Sequence, residues 1–165
     1  MKDYLKWGLL LVLPAYLLDQ LTKWVIRQNL DIGEGFVVIP KLFEIIHVRN
    51  TGAAFGILRN LPEDVRVGFF LVITIVACAG MLVLFKQNGD DSWWIKAILS
   101  LVFAGAAGNL TDRLIFKEVV DFLQVYIGTY PWPTFNVADM YISGGMIGLI
   151  VYTLFFPDGK KEVKE

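Results

Sequence analysis

The chain has only one cysteine and one histidine among its 165 residues. An intramolecular disulfide is therefore excluded, as is a zinc site built from several histidines. Its 15 basic residues balance 16 acidic ones, so no excess of positive charge indicates a nucleic-acid partner. The sequence also has no glycine-rich phosphate loop and no metal-ligand spacing, so we expect neither a metal nor a cofactor. The main compositional feature is the apolar content, which reaches 56%.

Four apolar stretches are long enough to cross a membrane as helices. The hydrocarbon core of a bilayer requires about 20 mostly apolar residues. The stretches cover about residues 7–26, 67–85, 93–113 and 140–156. We therefore expect residues 1–165 to form a single all-α integral membrane domain with four transmembrane helices. No small-residue cleavage site follows the first stretch, so it is interpreted as an uncleaved span.

The placement of lysine and arginine, rather than their number, indicates an orientation. Seven of them lie on the side of the two termini and the 86–92 turn and eight on the other side, but the seven are packed into short tails and one tight turn. Positive charge in short segments favours the cytoplasmic side. We therefore expect both termini in the cytoplasm and two outer loops at about 27–66 and 114–138.

The first outer loop has a β pattern. Residues 36–39 and 43–48 predict two short strands, with Pro40 and Lys41 at the turn. A lone two-stranded hairpin is marginal in water. We expect this small β-containing extracytoplasmic loop to lie against the membrane or the helix ends.

Polar residues cluster at the outer ends of the spans, where ionisable groups are costly and are functional candidates. Asp19 and Lys23 are four residues apart, on one face of the first helix, and are candidate site-supporting residues, either as a structural or orienting pair or as a catalytic one. Asn109 and Arg113 have the same spacing on the third helix. Asp112 is interpreted as an ion-pair partner of Lys23 or Arg113.

The third and fourth helices are expected to pack closely. Both are rich in small residues, and Gly144 and Gly148 have the small-xxx-small spacing of close helix contacts. Such a contact would bring Asn109 and Arg113 near Asp139, at the start of the fourth helix.

Elimination of other chemistries leaves two aspartates. Cys78 lies in mid-membrane without polar neighbours and is a poor nucleophile. A serine mechanism would require His47 to reach Ser143 or Ser92. Asp121 and Asp139 instead form a candidate pair, in which two nearby carboxyls share one proton and act together as acid and base.

The local sequence suggests how the proton is distributed. Asn136 is expected to cap the fourth helix, which places Asp139 in the first turn, where the helix dipole favours the ionised form. Asp121, in a loop among valines and Phe122, is expected to hold the proton more readily.

Five motifs resemble the lipoprotein signal peptidases (signal peptidase II) of bacteria. They are Asp19-Gln20-Leu21-Thr22-Lys23, Arg49-Asn50-Thr51-Gly52-Ala53-Ala54-Phe55, Gly108-Asn109-Leu110-Thr111-Asp112-Arg113, Val119-Val120-Asp121-Phe122 and Phe135-Asn136-Val137-Ala138-Asp139. The resemblance implies an aspartic endopeptidase of the bacterial plasma membrane, acting as a monomer among membrane lipids. It would cleave diacylglyceryl-modified prolipoproteins before the lipid-bearing cysteine, at the outer face.

The resemblance also implies site residues. Asp121 and Asp139 match the catalytic aspartates of the family, and the polar residues that line the site match Asn50, Asn109, Arg113 and Asn136. The turn that contains Gly52 is expected to offer backbone donors to an extended substrate, and Phe55 to cover the site.

Three alternatives stay open from the sequence alone. They are a small four-span transporter, a membrane serine protease that uses Ser143 and His47, and a membrane scaffold without catalytic activity. The transporter is disfavoured because the acids lie at the membrane boundary and the first outer loop is long.

Overall fold

Four long helices make up most of the computed structural model, which describes residues 6–52, 61–87 and 93–155. A π-helical turn, Gly8–Val12, continues into α1, Leu13–Asn29, and the other helices are α2, Glu63–Gln87, α3, Trp93–Phe116, and α4, Val137–Phe155. Each helix, α1 together with its π-helical turn, is long and apolar enough to cross a membrane. The predicted four-span helical class is confirmed.

Helix α1 buries charged side chains and exposes apolar ones, the reverse of a water-soluble helix. Ala15, Asp19, Lys23 and Ile26 recur on one face and are buried. The remaining surface of α1 exposes large apolar side chains, among them Leu17, Leu18, Leu21, Trp24 and Val25. This arrangement suits a helix with lipid outside and a polar cluster inside, where charged side chains in a membrane must find partners.

Small residues bring α3 and α4 into close contact. A Cβ added at Gly105 would collide with the backbone oxygen of Ala138, and one added at Gly145 would collide with the Val102 side chain. The predicted close packing is therefore confirmed, but the choice of Gly144 as a contact residue is wrong. A Cβ at Gly144 would meet nothing within 4 Å, because Gly145 faces α3 instead.

A four-stranded antiparallel sheet joins the segment between α1 and α2 to the segment between α3 and α4. Its strands, in the order β1-β2-β3-β4, are Gly35–Ile39, Phe43–Asn50, Val119–Ile127 and Tyr130–Pro131. The predicted hairpin is present and is formed by β1 paired with β2. From its sequence Asp121 is expected in a loop, but it lies in β3, which pairs with β2 and so completes a sheet that the hairpin alone could not form.

The segment after β3 turns back along it. The backbone N–H groups of Phe122 and Leu123 both donate to the Phe135 carbonyl oxygen, at 2.9 and 2.8 Å, and the Phe135 N–H donates to the Leu123 oxygen at 3.0 Å. This pairing fixes the chain immediately before α4. Asn136 therefore enters α4 beside Asp121.

Candidate active site

Asp121 lies in the buried half of β3. Residues 119–122 are all buried, and only 2% of Asp121 is exposed. Asn50, at the end of the neighbouring strand β2, donates from Nδ2 to Asp121 Oδ2 at 2.8 Å. The sheet pairing thus holds one carboxyl oxygen of Asp121 through a cross-strand hydrogen bond.

Asp139 lies in the first turn of α4, and Asn136 caps this helix as predicted. The Asp139 N–H donates to Asn136 Oδ1 at 3.0 Å, and the Asn136 N–H donates to Asp139 Oδ2 at 3.2 Å. This reciprocal pair is a capping box in which an aspartate takes the place of glutamate. Acidic side chains are favoured at the N-terminus of a helix, and Asp139 occupies such a position.

Asn136 joins the two aspartates. Its side chain is fully buried and its Nδ2 donates to Asp121 Oδ1 at 2.7 Å. Asn109 supports the same arrangement from α3, since its Nδ2 donates to Asp139 Oδ1 at 2.8 Å while its Oδ1 accepts a hydrogen bond from Asn136 at 3.1 Å. The structure therefore brings Asp121, Asp139, Asn50, Asn109 and Asn136 into one hydrogen-bond network.

The environment of Asp121 raises its pKa from the ordinary 3.8 to about 7. Burial is the largest cause, and the negative charge of Asp139 adds to it. Hydrogen bonds from Asn50 and Asn136 and the charge of Lys23 act in the opposite direction. A carboxyl that exchanges its proton near neutral pH can serve as a general acid, and the expectation that Asp121 holds a proton agrees with this environment.

Arg113 supports the loop beside the pair. Its guanidinium donates to the Asn109 backbone oxygen at 3.3 Å and to the Gly52 oxygen at 3.4 Å, and it lies 4.0 Å above the centre of the Phe70 ring. Among the residues that the structure describes, no ion pair within 4.0 Å joins Arg113 to either aspartate of the pair. The expected role of Phe55 lies outside the described residues.

Asp19 and Lys23 form the predicted pair, 2.9 Å apart between Oδ2 and Nζ. Asp112 is the predicted partner of Lys23, at 3.3 Å, and none of the three side chains is exposed. The sequence interpretation missed Gln20, whose Nε2 donates to Asp19 Oδ2 at 3.1 Å and to the Gly108 oxygen at 3.2 Å. Gln20 stands between Asp19 and Lys23 in the first motif, and this position could have identified it as a member of the cluster.

The structure does not bring together the residues of the serine alternative. The Nδ1 of His47 lies 2.8 Å from the Leu30 carbonyl oxygen, and the side chain is almost fully buried. Ser143 is exposed on α4, and no hydrogen bond joins it to His47 within the described parts of the chain. Nor does any group of three or more His, Cys, Asp or Glu side chains in those parts have the arrangement of a metal site.

Comparison with known proteins decides the family. The family model described as Signal peptidase (SPase) II matches residues 11–155. The chain belongs to the signal peptidase II family. Curated lipoprotein signal peptidases are similar over most of their length: that of Syntrophus aciditrophicus is 44% identical over 135 residues, covering 82% of this chain and 84% of the relative. That of Staphylococcus aureus strain Newman is 35% identical over 161 residues, covering 98% and 96%.

A solved structure agrees with this membership. A bacterial membrane enzyme determined by the in meso method at 2.3 Å resolution aligns with a TM-score of 0.83 and 35% identity, covering 96% of this chain and 93% of the other. The chain is therefore a membrane peptidase of a bacterial family, and membership supports cleavage of signal peptides from prolipoproteins. The resemblance drawn from the five motifs is confirmed, and neither a transporter nor a scaffold is supported.

Proposed function

We propose that the chain is an aspartic endopeptidase that cleaves diacylglyceryl-modified prolipoproteins immediately before the lipid-bearing cysteine, with Asp121 and Asp139 as its catalytic dyad. The observation that carries the proposal is the direct contact of Asn136 with both carboxyl groups. A dyad requires one proton shared between two held carboxyls, and the raised pKa of Asp121 beside the helix-capping Asp139 supports this assignment.

In the proposed mechanism, ionised Asp139 accepts a proton from water as the water oxygen attacks the scissile carbonyl carbon. Protonated Asp121 donates its proton to the carbonyl oxygen. The tetrahedral intermediate then collapses: one of its hydroxyl groups returns a proton to Asp121, the C–N bond breaks, and the leaving amine takes the proton that Asp139 received. No covalent intermediate forms.

The surrounding residues have distinct supporting roles in this proposal. Asn50 and Asn136 hold the two oxygens of Asp121, and Asn109 holds Asp139. Arg113 and Gly52, which contact each other, shape the site where an extended substrate would lie. Because these positions are set before substrate arrives, little reorganisation is needed during the reaction.

The proposed location follows from the depth of the pair. Asp121 and Asp139 lie at one end of the spans, beside the sheet, and a lipid-modified cysteine places its peptide bond at headgroup depth. We place this end at the outer face of the plasma membrane, with both termini in the cytoplasm. We propose that the chain acts as a monomer.

The substrate is tested with the purified protein in detergent and two peptides of the same sequence, one with a diacylglyceryl-modified cysteine and one unmodified. Mass spectrometry of the products should give a single cut before the lipid-bearing residue and little cleavage of the unmodified peptide. Equal cleavage of both peptides, or a cut elsewhere, would contradict the proposed specificity.

The pH dependence tests the dyad separately. Cleavage needs one protonated and one ionised carboxyl, so activity should fall as Asp121 loses its proton above about pH 7. An activity that stays constant through this range would argue against Asp121 as the general acid.

A further inference from the structure

Three fully buried charged side chains lie beside the dyad without touching it. They are Asp19 and Lys23 on α1 and Asp112 on α3, and none is exposed. The Lys23 ammonium lies 2.9 Å from Asp19 Oδ2 and 3.3 Å from Asp112 Oδ2. Buried ion clusters are weak sources of stability, since desolvation offsets most of their attraction. Because charged side chains within a membrane bundle are costly, these three are candidates for a functional role.

Each carboxylate of this cluster holds the backbone directly before one dyad residue. Asp19 Oδ1 accepts the N–H of Ala138, the residue before Asp139, at 2.9 Å. Asp112 Oδ2 accepts the N–H of Val120, the residue before Asp121, at 3.3 Å. Lys23 thus contacts both carboxylates, and each carboxylate binds the backbone N–H of the residue before one member of the dyad.

Lys23 also acts on the dyad through a third contact. Its Nζ donates to Asn109 Oδ1 at 2.9 Å, and the same amide donates from Nδ2 to Asp139 Oδ1 at 2.8 Å. An ammonium group only donates hydrogen bonds, so it fixes the amide oxygen toward α1 and the amide nitrogen toward Asp139. The reverse orientation would place two oxygens, those of Asn109 and Asp139, against each other.

We infer that Lys23 is a positioning residue for the dyad, which sets the spacing of Asp121 and Asp139 through Asp112 and Asp19 and orients Asn109 toward Asp139. The inference rests on the proposed function, because it assigns a role relative to that dyad. Among the described residues, no hydrogen bond or ion pair joins Lys23 to Asp121 or Asp139.

The test compares Lys23→Met, which removes the charge and the donors at similar length, with Lys23→Arg, which keeps the charge. Lys86→Met is the matched control: this lysine is exposed at the far end of α2 from the site. Each variant is purified in detergent, and kcat, KM and the pH profile are measured on the diacylated peptide.

For Lys23→Met we expect kcat to fall about 10–100-fold with KM changed by less than about threefold, because misplaced reacting groups slow chemistry more than binding. Lys23→Arg should recover part of kcat, and Lys86→Met should match the wild type. The charge of Lys23 lowers the pKa of Asp121, so its loss should also move the alkaline fall in activity to higher pH. Among the described residues of α1 and α3, the charged groups around the dyad are Asp19, Lys23, Arg27, Asp112 and Arg113.

A folded Lys23→Met variant with wild-type kcat and an unmoved pH profile would overturn the inference, as would a loss confined to KM. If Lys23→Met does not fold, Asp19→Asn/Lys23→Met removes both charges of the pair and keeps an acceptor for the Ala138 N–H. This double variant should show the same fall in kcat and the same pH displacement. If the double variant also fails to fold, the cluster acts in folding rather than positioning, and the inference is likewise overturned.

The outcome is separable from that of the proposed function. Asp121→Asn and Asp139→Asn are measured in the same assay. If both abolish cleavage while Lys23→Met does not change it, only the role of Lys23 fails. If either retains cleavage, the dyad itself is wrong.

Discussion

The buried carboxyl of Asp121 should make the protein less stable at alkaline pH, and Asp121→Asn should remove this dependence. Folding raises the pKa of this group from 3.8 to about 7. Its contribution to stability is therefore fully present below about pH 3.8 and is lost as pH rises through 7. A pKa difference of this size corresponds to about 4 kcal/mol in total, of which about 3 kcal/mol falls between about pH 5 and about pH 8.

The substitution also has a cost that does not depend on pH. Asn50 and Asn136 each donate to one oxygen of Asp121, so the new amide group would face one of these donors and lose a hydrogen bond. That loss is about 1–3 kcal/mol. The informative quantity is consequently the change in the mutational effect between the two pH values, from which the constant cost cancels.

The assay is thermal unfolding of the detergent-purified protein at about pH 5 and about pH 8. A 3 kcal/mol change corresponds to roughly 6–12 °C in Tm for a domain of this size. The Tm of Asp121→Asn relative to that of the wild type should therefore be higher by this amount at about pH 8 than at about pH 5. Asp31→Asn, which alters an exposed acid, is the control and should show no such gain. Equal effects of Asp121→Asn at both pH values would refute the idea that the folded state penalises ionised Asp121.

Four further substitutions test three separate parts of the structure. Gly108→Ala should destabilise the protein by about 1–3 kcal/mol, because the added Cβ would collide with the Asp19 carboxylate. Gly144→Ala should be neutral or slightly stabilising, because its Cβ would meet nothing within 4 Å. Comparable Tm values for the two variants would contradict this packing. Asn136→Ala should lower kcat about 100-fold and the free energy of unfolding by about 1 kcal/mol, and wild-type kinetics would exclude its bridging role. His47→Ala should retain kcat on the diacylated peptide, since loss of cleavage in a folded variant would instead favour the serine mechanism.

The helices and the cap could be predicted because their signals are local. An apolar run of about 20 residues identifies a span by itself. Asn136, three residues before Asp139, has the spacing of a helix cap, and both capping hydrogen bonds are present. The pairing of Asp19 with Lys23 follows from the same helical periodicity.

The strand that carries Asp121 could not be placed so easily. Its position depends on pairing with β2, about 70 residues earlier in sequence as judged from the partners Val48 and Asp121, and sheet propensity depends strongly on such neighbours. The β-branched and aromatic residues around Asp121 were a signal for a strand, but Asp is depleted in strands and favours a loop. The contacts of Asp19 with Ala138 and of Asp112 with Val120 also lie outside sequence reasoning, since a backbone N–H leaves no trace in residue identity.

The central claim is that Asp121 and Asp139 together carry out peptide hydrolysis. The most direct measurement is kcat on the diacylated peptide for Asp121→Asn and Asp139→Asn, each first confirmed as folded by thermal unfolding. We predict that each substitution lowers kcat by about 10²–10⁴-fold, since an amide can neither accept nor donate the proton that each step requires. Substantial cleavage by either folded variant would contradict the account.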